Sequence, residues 1–270
     1  MKPIIAAVDF SEGDSSALQY AADLALAINA DLYLFHVMGI PGSVVEIPLT
    51  ESFFEEIKES DGKELEKLKD LILKETQGKL KVYIAYKIGN FENELQEYCK
   101  IKDPFAVVMG INKTPFEKLL FGSNTLSAIQ HLHYPLLAVK DGTKFHAINK
   151  VVLACGLEDA NRHIPVYYLK ELQQAFHLSF GVLNIAPKTI DDVRSQQQLT
   201  SLKLLLGELY PTFYFIIADT VEEGISKFLK EENTDLLMLL PKEHGFFEFH
   251  KSHVKNILMN TAIPVVTIHD

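Results

Sequence analysis

Residues 4–12 read IIAAVDFSE, and residues 151–159 read VVLACGLED. In each stretch an apolar run of five residues ends, at Asp9 in one and at Gly156 in the other, and polar residues follow. A run this short, rich in β-branched side chains and bounded by polar ones, reads as a buried strand. Its recurrence says that the chain repeats itself.

The match extends to the ends of the two halves. DPFAVVMG (103–110) leads through a loop and a helical stretch to YPLLAVK (134–140), and TDLLMLLP (234–241) leads in the same way to IPVVTIH (263–269). Pro135 and Pro264 open the closing strands, where a missing N–H is tolerated. The polar segment DGTKFHAIN (141–149) reads as a linker. In the first half the patterns predict strands at 3–9, 31–38, 80–87, 105–110 and 135–140, with helices at 14–29, 51–77, 91–101 and 123–132. In the second they predict strands at 150–155, 178–185, 212–218, 235–240 and 264–268, with helices at 162–177, 191–209, 221–231 and 251–260. Ala17, Leu18, Ala21, Leu24, Ala25 and Ile28 recur at helical spacing, with Ser11 as candidate N-cap and Asp14 in the first turn.

Strands that alternate with helices and read as continuous apolar runs imply parallel sheets covered on both faces. The predicted fold is α/β: two tandem doubly wound, Rossmann-like domains, 1–141 and 148–270, each with a five-stranded parallel sheet and helices on both faces.

The composition of the 270 residues, 47% apolar and 23% charged, is that of a globular chain. A formal net charge of -10 disfavours sequence-independent nucleic-acid binding. Cys99 and Cys155 are too far apart to read as a thiolate metal pair or a disulfide framework. The N-terminus carries Asp9, Glu12 and Asp14 where a signal peptide would be apolar, and no apolar run reaches the roughly 18 residues of a membrane span. The expectation is a cytoplasmic protein.

Ligands in doubly wound sheets bind at the carboxyl ends of strands, beside the point where strand order reverses. This directs attention to Ala7, Val8 and Asp9 after the first strand. It also directs attention to Met109, Gly110 and Lys113 after the fourth, and to Gly122, Ser123 and Asn124 at the start of the next helix. A helix N-terminus offers unpaired N–H donors to an anion. Taken alone, Gly122-Ser123 reads equally as a turn and an N-cap.

The stretch IIAAVDFSEGDSSALQYAADLALAINADLYLFHV, with DPFAVVMG, the GSNT at 122–125 and the closing strand, resembles the universal stress protein family. The likeness covers the whole first half. It extends more loosely to the second, through LLMLLP and HKSHVKNILMNTAIPVVTIH, in the manner of the family's tandem two-domain members. The resemblance implies an adenine nucleotide, ATP with Mg2+ accompanying it, in the first half. Ala7, Val8 and Asp9 would meet base or ribose, and Val37 would lend its backbone to the adenine. Met109, Gly110, Gly122, Ser123 and Asn124 would wrap ribose and phosphates.

Two departures bear on that site. Lys113 stands where the family's motif has its second glycine, and the loop from Gly110 to Gly122 is one residue short. Lys113 either meets a phosphate or is a solvated loop lysine. In the second half Gly156 aligns with Asp9 and Pro241 with Gly110, so that half has lost the family's nucleotide residues and reads as a structural partner.

No reaction centre is legible. There is no GxSxG, and no cysteine has a base partner in sequence. Ser11 to Ser16 (SEGDSS) resembles the loop of ATP pyrophosphatases, but Glu12 and Asp14 would repel pyrophosphate. His244, His250, His253 and His269 lack a completing ligand for zinc, and Lys242, His250, Lys251 and Lys255 form a candidate basic patch. The expectation is thus a stress-response binding protein acting through nucleotide-dependent interaction with a protein partner, with at most slow ATP hydrolysis. The alternative is a structural interaction protein with both pockets degenerate. By resemblance, strands 135–140 and 264–268 meet within the chain as a pseudo-dimer. Pairing of whole chains into a homodimer stays open.

Overall fold

The apolar runs form strands, and their alternation decides which helix each side chain meets. The structure, a computed structural model, describes residues 1–11, 14–39, 51–111, 123–157, 164–187, 193–241 and 251–269. The first half comprises β1 (Ile4–Ala7), α1 (Asp14–Ala27), β2 (Leu32–Met38), α2 (Glu51–Glu75), β3 (Val82–Ile88), α3 (Phe91–Lys102), β4 (Ala106–Ile111), α4 (Ser123–His131) and β5 (Leu136–Lys140). The second comprises β6 (Lys150–Ala154), α5 (Val166–Phe176), β7 (Ser179–Ala186), α6 (Val193–Leu205), β8 (Thr212–Ile217), α7 (Val221–Glu231), β9 (Leu236–Leu239), α8 (Lys251–Asn260) and β10 (Val265–Thr267).

All ten strands join one sheet in the order β3-β2-β1-β4-β5-β10-β9-β6-β7-β8. Within each half the pairs are parallel. At the centre β5 and β10 run antiparallel, with Leu136 opposite Thr267, Leu137 opposite Val266 and Ala138 opposite Val265. The two predicted last strands therefore meet inside one chain.

Successive residues of a strand face opposite sides. Ile4, Ala6 and Val8 pack on one face with Leu18, Ala21, Leu24 and Ala25 of α1, while Ile5 and Ala7 pack on the other with Leu95 of α3 and Ile129 of α4. The two halves superpose through their registers. Ile4 pairs with Ala106 as Val151 pairs with Leu236. The Val107 N–H donates to Pro135 O at 2.8 Å, as the Leu237 N–H donates to Pro264 O at 3.2 Å. These registers correct one alignment: counting along the strands makes Leu240 the equivalent of Gly110 and Pro241 that of Ile111. The sequence patterns around the loops could not fix a one-residue offset that strand pairing fixes directly.

Two helix boundaries also move. The helix expected from 162 is described from Val166, directly after Pro165, whose missing N–H is best tolerated at a helix start. The helix expected over 191–209 divides into α6 and a short 3-10 turn, Gly207–Leu209, which Tyr210 ends in the left-handed region at φ 49°.

The halves also pack beside the central strand pair. Phe105 packs against Tyr168 with ring centroids 5.6 Å apart, and Lys2 pairs with Glu171 at 3.3 Å. At the linker's start the Ser16 hydroxyl donates to Asp141 Oδ1 at 2.9 Å and accepts the Gly142 N–H at 2.9 Å. At its end Asp235 Oδ2 accepts the N–H groups of Asn149 and Lys150 at 2.8 and 2.9 Å.

Candidate functional site

Strand order reverses between β1 and β4, because β2 and β3 lie to one side of β1 while β4 and β5 lie to the other. At the carboxyl ends of these two strands a hollow is lined by Ala7, Val8, Asp9, Asp14, Phe91, Met109, Gly110, Asn124 and Thr125. Of the residues expected at a ligand, Ala7, Val8, Asp9, Met109, Gly110 and Asn124 come together here. Ser123 opens α4 beside them. Lys113 and Gly122 lie outside the described residues. Val37 shares the sheet face of Ala7 and Met109 but does not line the hollow.

The turn after β1 is held by side chains from four elements. The imidazole Nδ1 of His36, on β2, lies 2.7 Å from Val8 O and donates to it, while Nε2 lies 3.4 Å from Asp61 Oδ2 of α2. Tyr86, on β3, donates its hydroxyl to the same carboxylate oxygen at 3.1 Å. The next residue's N–H, that of Asp9, donates to Asp14 Oδ2 at 2.8 Å. Asp9 Oδ1 in turn accepts the Ser11 N–H at 3.0 Å, and the Asp14 N–H donates to Ser11 O at 3.1 Å. Phe10 stands between them with φ 61°, a left-handed conformation that is rare for a bulky residue, and its ring packs on His36 with centroids 4.5 Å apart.

Asp14 is the residue that sequence reasoning missed. In the sequence it reads as a first-turn acid favoured by the helix dipole. In the structure it is 7% exposed and forms part of the wall of the hollow. Burial, and then the charge of neighbouring Asp9, pushes its carboxyl up to about 7, against the pull of the Asp9 and Phe10 N–H groups. Phe91 and Thr125 were also missed. Phe91 opens α3 behind Asn90, whose side chain accepts the Asn93 N–H at 3.1 Å. Thr125 sits within GSNT and donates to Gly110 O at 3.5 Å.

The lining divides by chemistry. Ala7, Met109 and Phe91 give the hollow apolar walls, and the Asp9 carboxylate can accept from hydroxyl or amine donors. The Asp9 N–H is already taken by a protein carboxylate, so this end offers it to no phosphate. The other end of the hollow is where α4 begins, and a helix start suits an anion. Among the described residues no group of three or more His, Cys, Asp or Glu side chains is placed to hold a metal ion. Of the second-half histidines, His244 and His250 lie outside the described residues, as does Lys242. His253 is described only in the backbone of α8. His269 Nε2 lies 2.6 Å from Ile129 O.

The described residues at the equivalent place in the second half differ from those of the first. Asn184 stands where β2 has His36, and its Nδ2–H donates to Cys155 O at 3.1 Å, which preserves the turn. Gly156 supplies no carboxylate in place of Asp9. Leu240 occupies the position equivalent to Gly110 and is buried in the core.

Such a sheet, with a carboxylate-bearing turn at the strand-order reversal, defines a doubly wound α/β protein with a ligand-type crevice in its first half. The sequence profile of the universal stress protein family matches residues 1–140. The chain belongs to that family. No curated protein sequence matches it significantly. Over its full length the chain is similar to a universal stress protein from Archaeoglobus fulgidus, at 14% identity and a TM-score of 0.71, covering 99% of this chain and 96% of that one. A second structure, described as a putative universal stress protein from Pseudomonas aeruginosa, has 10% identity and a TM-score of 0.60, covering 99% and 93%. The cytoplasmic domain of a prokaryotic cation chloride cotransporter shares the fold at 12% identity and a TM-score of 0.54, covering 98% and 94%. In the described residues of this chain no helix is long and apolar enough to cross a membrane.

Proposed function

We propose that this stress-family protein binds an adenine nucleotide, ATP with Mg2+, in the crevice between β1 and β4, and that occupancy governs how it meets a protein partner. The observation that carries this reading is the convergence of Asp9, the apolar side chains of Ala7 and Met109, the bare backbone of Gly110 and the start of α4 on one hollow at the strand-order reversal. The base and ribose would lie toward Asp9, where the backbone donor is already satisfied. The phosphates would lie toward Ser123 and Asn124, with Mg2+ carried on them. Two domains, 1–141 and 148–270, divide the work: the first binds, and the second, with Gly156 and Leu240 in the equivalent places, serves as scaffold.

The reading is of a binding protein. Thermal unfolding with and without millimolar MgATP tests it. The wild-type melting temperature should rise, and Asp9→Ala and Gly122→Val should each abolish the rise. A wild-type protein indifferent to ATP would leave only the paired scaffold.

A further inference from the structure

Asp14 is a buried carboxyl that the nucleotide reading does not use, set into the wall of the pocket it would share with an anion. Its Oδ2 holds the Asp9 N–H at 2.8 Å, so it cannot turn away without releasing the turn that carries Asp9. Two carboxyls, Asp9 and Asp14, therefore face one hollow with a polyanionic ligand as third party. We propose that nucleotide binding at this site is coupled to uptake of one proton by the Asp9–Asp14 carboxyl pair, so that the pocket fills more readily as pH falls. This rests on the nucleotide reading of the crevice.

The surroundings favour Asp14 as the group that titrates. The hollow that Asp14 lines is otherwise walled by Met109 and Gly110 of β4, Phe91 of α3, and Asn124 and Thr125 of α4, all uncharged. From the β1 side it meets Asp9. Other charged or titratable groups described at this end are engaged elsewhere: Asp141 with Ser16, Glu92 with Ser127 and His131, and His36 with Val8 O and Asp61, while Glu12 lies outside the described residues. Lys113 and Lys118 belong to a segment outside the described residues. No described cation neutralises the pair, and burial already holds the Asp14 carboxyl near 7 in the free protein. Adding phosphate charge to the same crevice pushes it further toward the neutral acid. Linkage then requires the converse: protonation of Asp14 must tighten binding by the same factor. The proton comes from solvent, and no bond other than O–H forms.

The test is calorimetric titration of MgATP into the full chain between pH 6 and 8.5, for wild type and Asp14→Asn. Asparagine keeps an acceptor for the Asp9 N–H but cannot titrate. Wild-type affinity should fall by up to about tenfold per pH unit above neutrality, while Asp14→Asn varies far less and binds more tightly than wild type at pH 8.5. The titration of ATP itself is common to both proteins and cancels in the comparison. As a second measurement on wild type alone, heats in buffers of different ionisation enthalpy should show proton uptake at pH 7.5 beyond that of ATP. A wild-type affinity independent of pH, or an equal slope in Asp14→Asn, would overturn the proton linkage and leave the nucleotide reading intact. Absence of binding at every pH in both proteins would overturn the nucleotide reading and the linkage with it.

Discussion

Lys140 and His269 are counterparts that reach across the centre of the sheet in opposite directions. Lys140, at the end of β5, donates to the carbonyl oxygens of Met259 and of Thr261, the latter at 2.8 Å, at the end of α8. His269, just past β10, reaches Ile129 O in the last turns of α4 at 2.6 Å. The final carbonyls of a helix lack intrahelical partners and carry partial negative charge, so a cation is well placed there. Each half thus caps the last helix of the other, and the antiparallel β5–β10 seam is reinforced at both ends.

Lys140→Met should therefore loosen the seam. It keeps the apolar stem and removes donors to two partly buried carbonyls, at a cost of about 1–3 kcal/mol. Urea unfolding should show the loss, and a surface lysine such as Lys63, whose partner Glu59 lies on an exposed helix face, should show almost none on the same change.

Gly224 is required by contact. A Cβ there would fall 2.5 Å from Ile185 Cγ2, a methyl branched next to the backbone of β7 and unable to swing away cheaply. Gly224→Val should destabilise the fold by about 1–3 kcal/mol through overpacking. Ile185→Ala in the same chain should recover part of the loss, as measured by the midpoint of denaturant unfolding.

The counterparts His36 and Asn184 make a second exchange informative. His36→Asn places in the first half the residue that already does this work in the second, where it bonds Cys155 O at 3.1 Å. It should retain most of the ATP-induced stabilisation. His36→Leu leaves Val8 O without its side-chain donor and should lose it, a difference visible in thermal shift.

Asp14 also ties stability to pH, and the sign follows from the direction in which burial moves it. Its carboxyl titrates near 7 in the fold, above its ordinary 3.8, so the folded state holds the proton more tightly. The resulting stabilisation is complete below the ordinary value and is lost as pH rises through 7. Relative to Asp14→Asn, the wild-type protein should lose about 2–4 kcal/mol between pH 4 and pH 8, at most ~1.4 kcal/mol for each pH step of one. Parallel stability–pH curves for the two proteins would contradict the burial argument.

Much of the architecture was legible because both signals that fix it are local. Runs such as FAVVMG and LLMLL are short, apolar and bounded, and the repeat of IIAAV in VVLAC exposes the tandem plan without any contact information. What depended on pairing was not legible. A one-residue offset between Pro241 and Leu240 is invisible until β6 and β9 are in register. The site divided in the same way. Asp9 and Gly110 announce themselves by position after apolar runs. Asp14 looks like any first-turn acid, and only packing against β1 and β4 reveals that its carboxyl is buried beside another. Val37 is expected at the ligand from resemblance alone, and β2 sets it on the right face but outside the hollow.

The most direct measurement is the stoichiometry of MgATP binding to the full 270-residue chain by isothermal titration calorimetry. The predicted result is one site per chain, lost in Asp9→Ala. No binding heat at millimolar nucleotide, or two equivalent sites, would contradict a crevice built by Asp9 and Gly110 that has Gly156 and Leu240 as its counterparts in the second half.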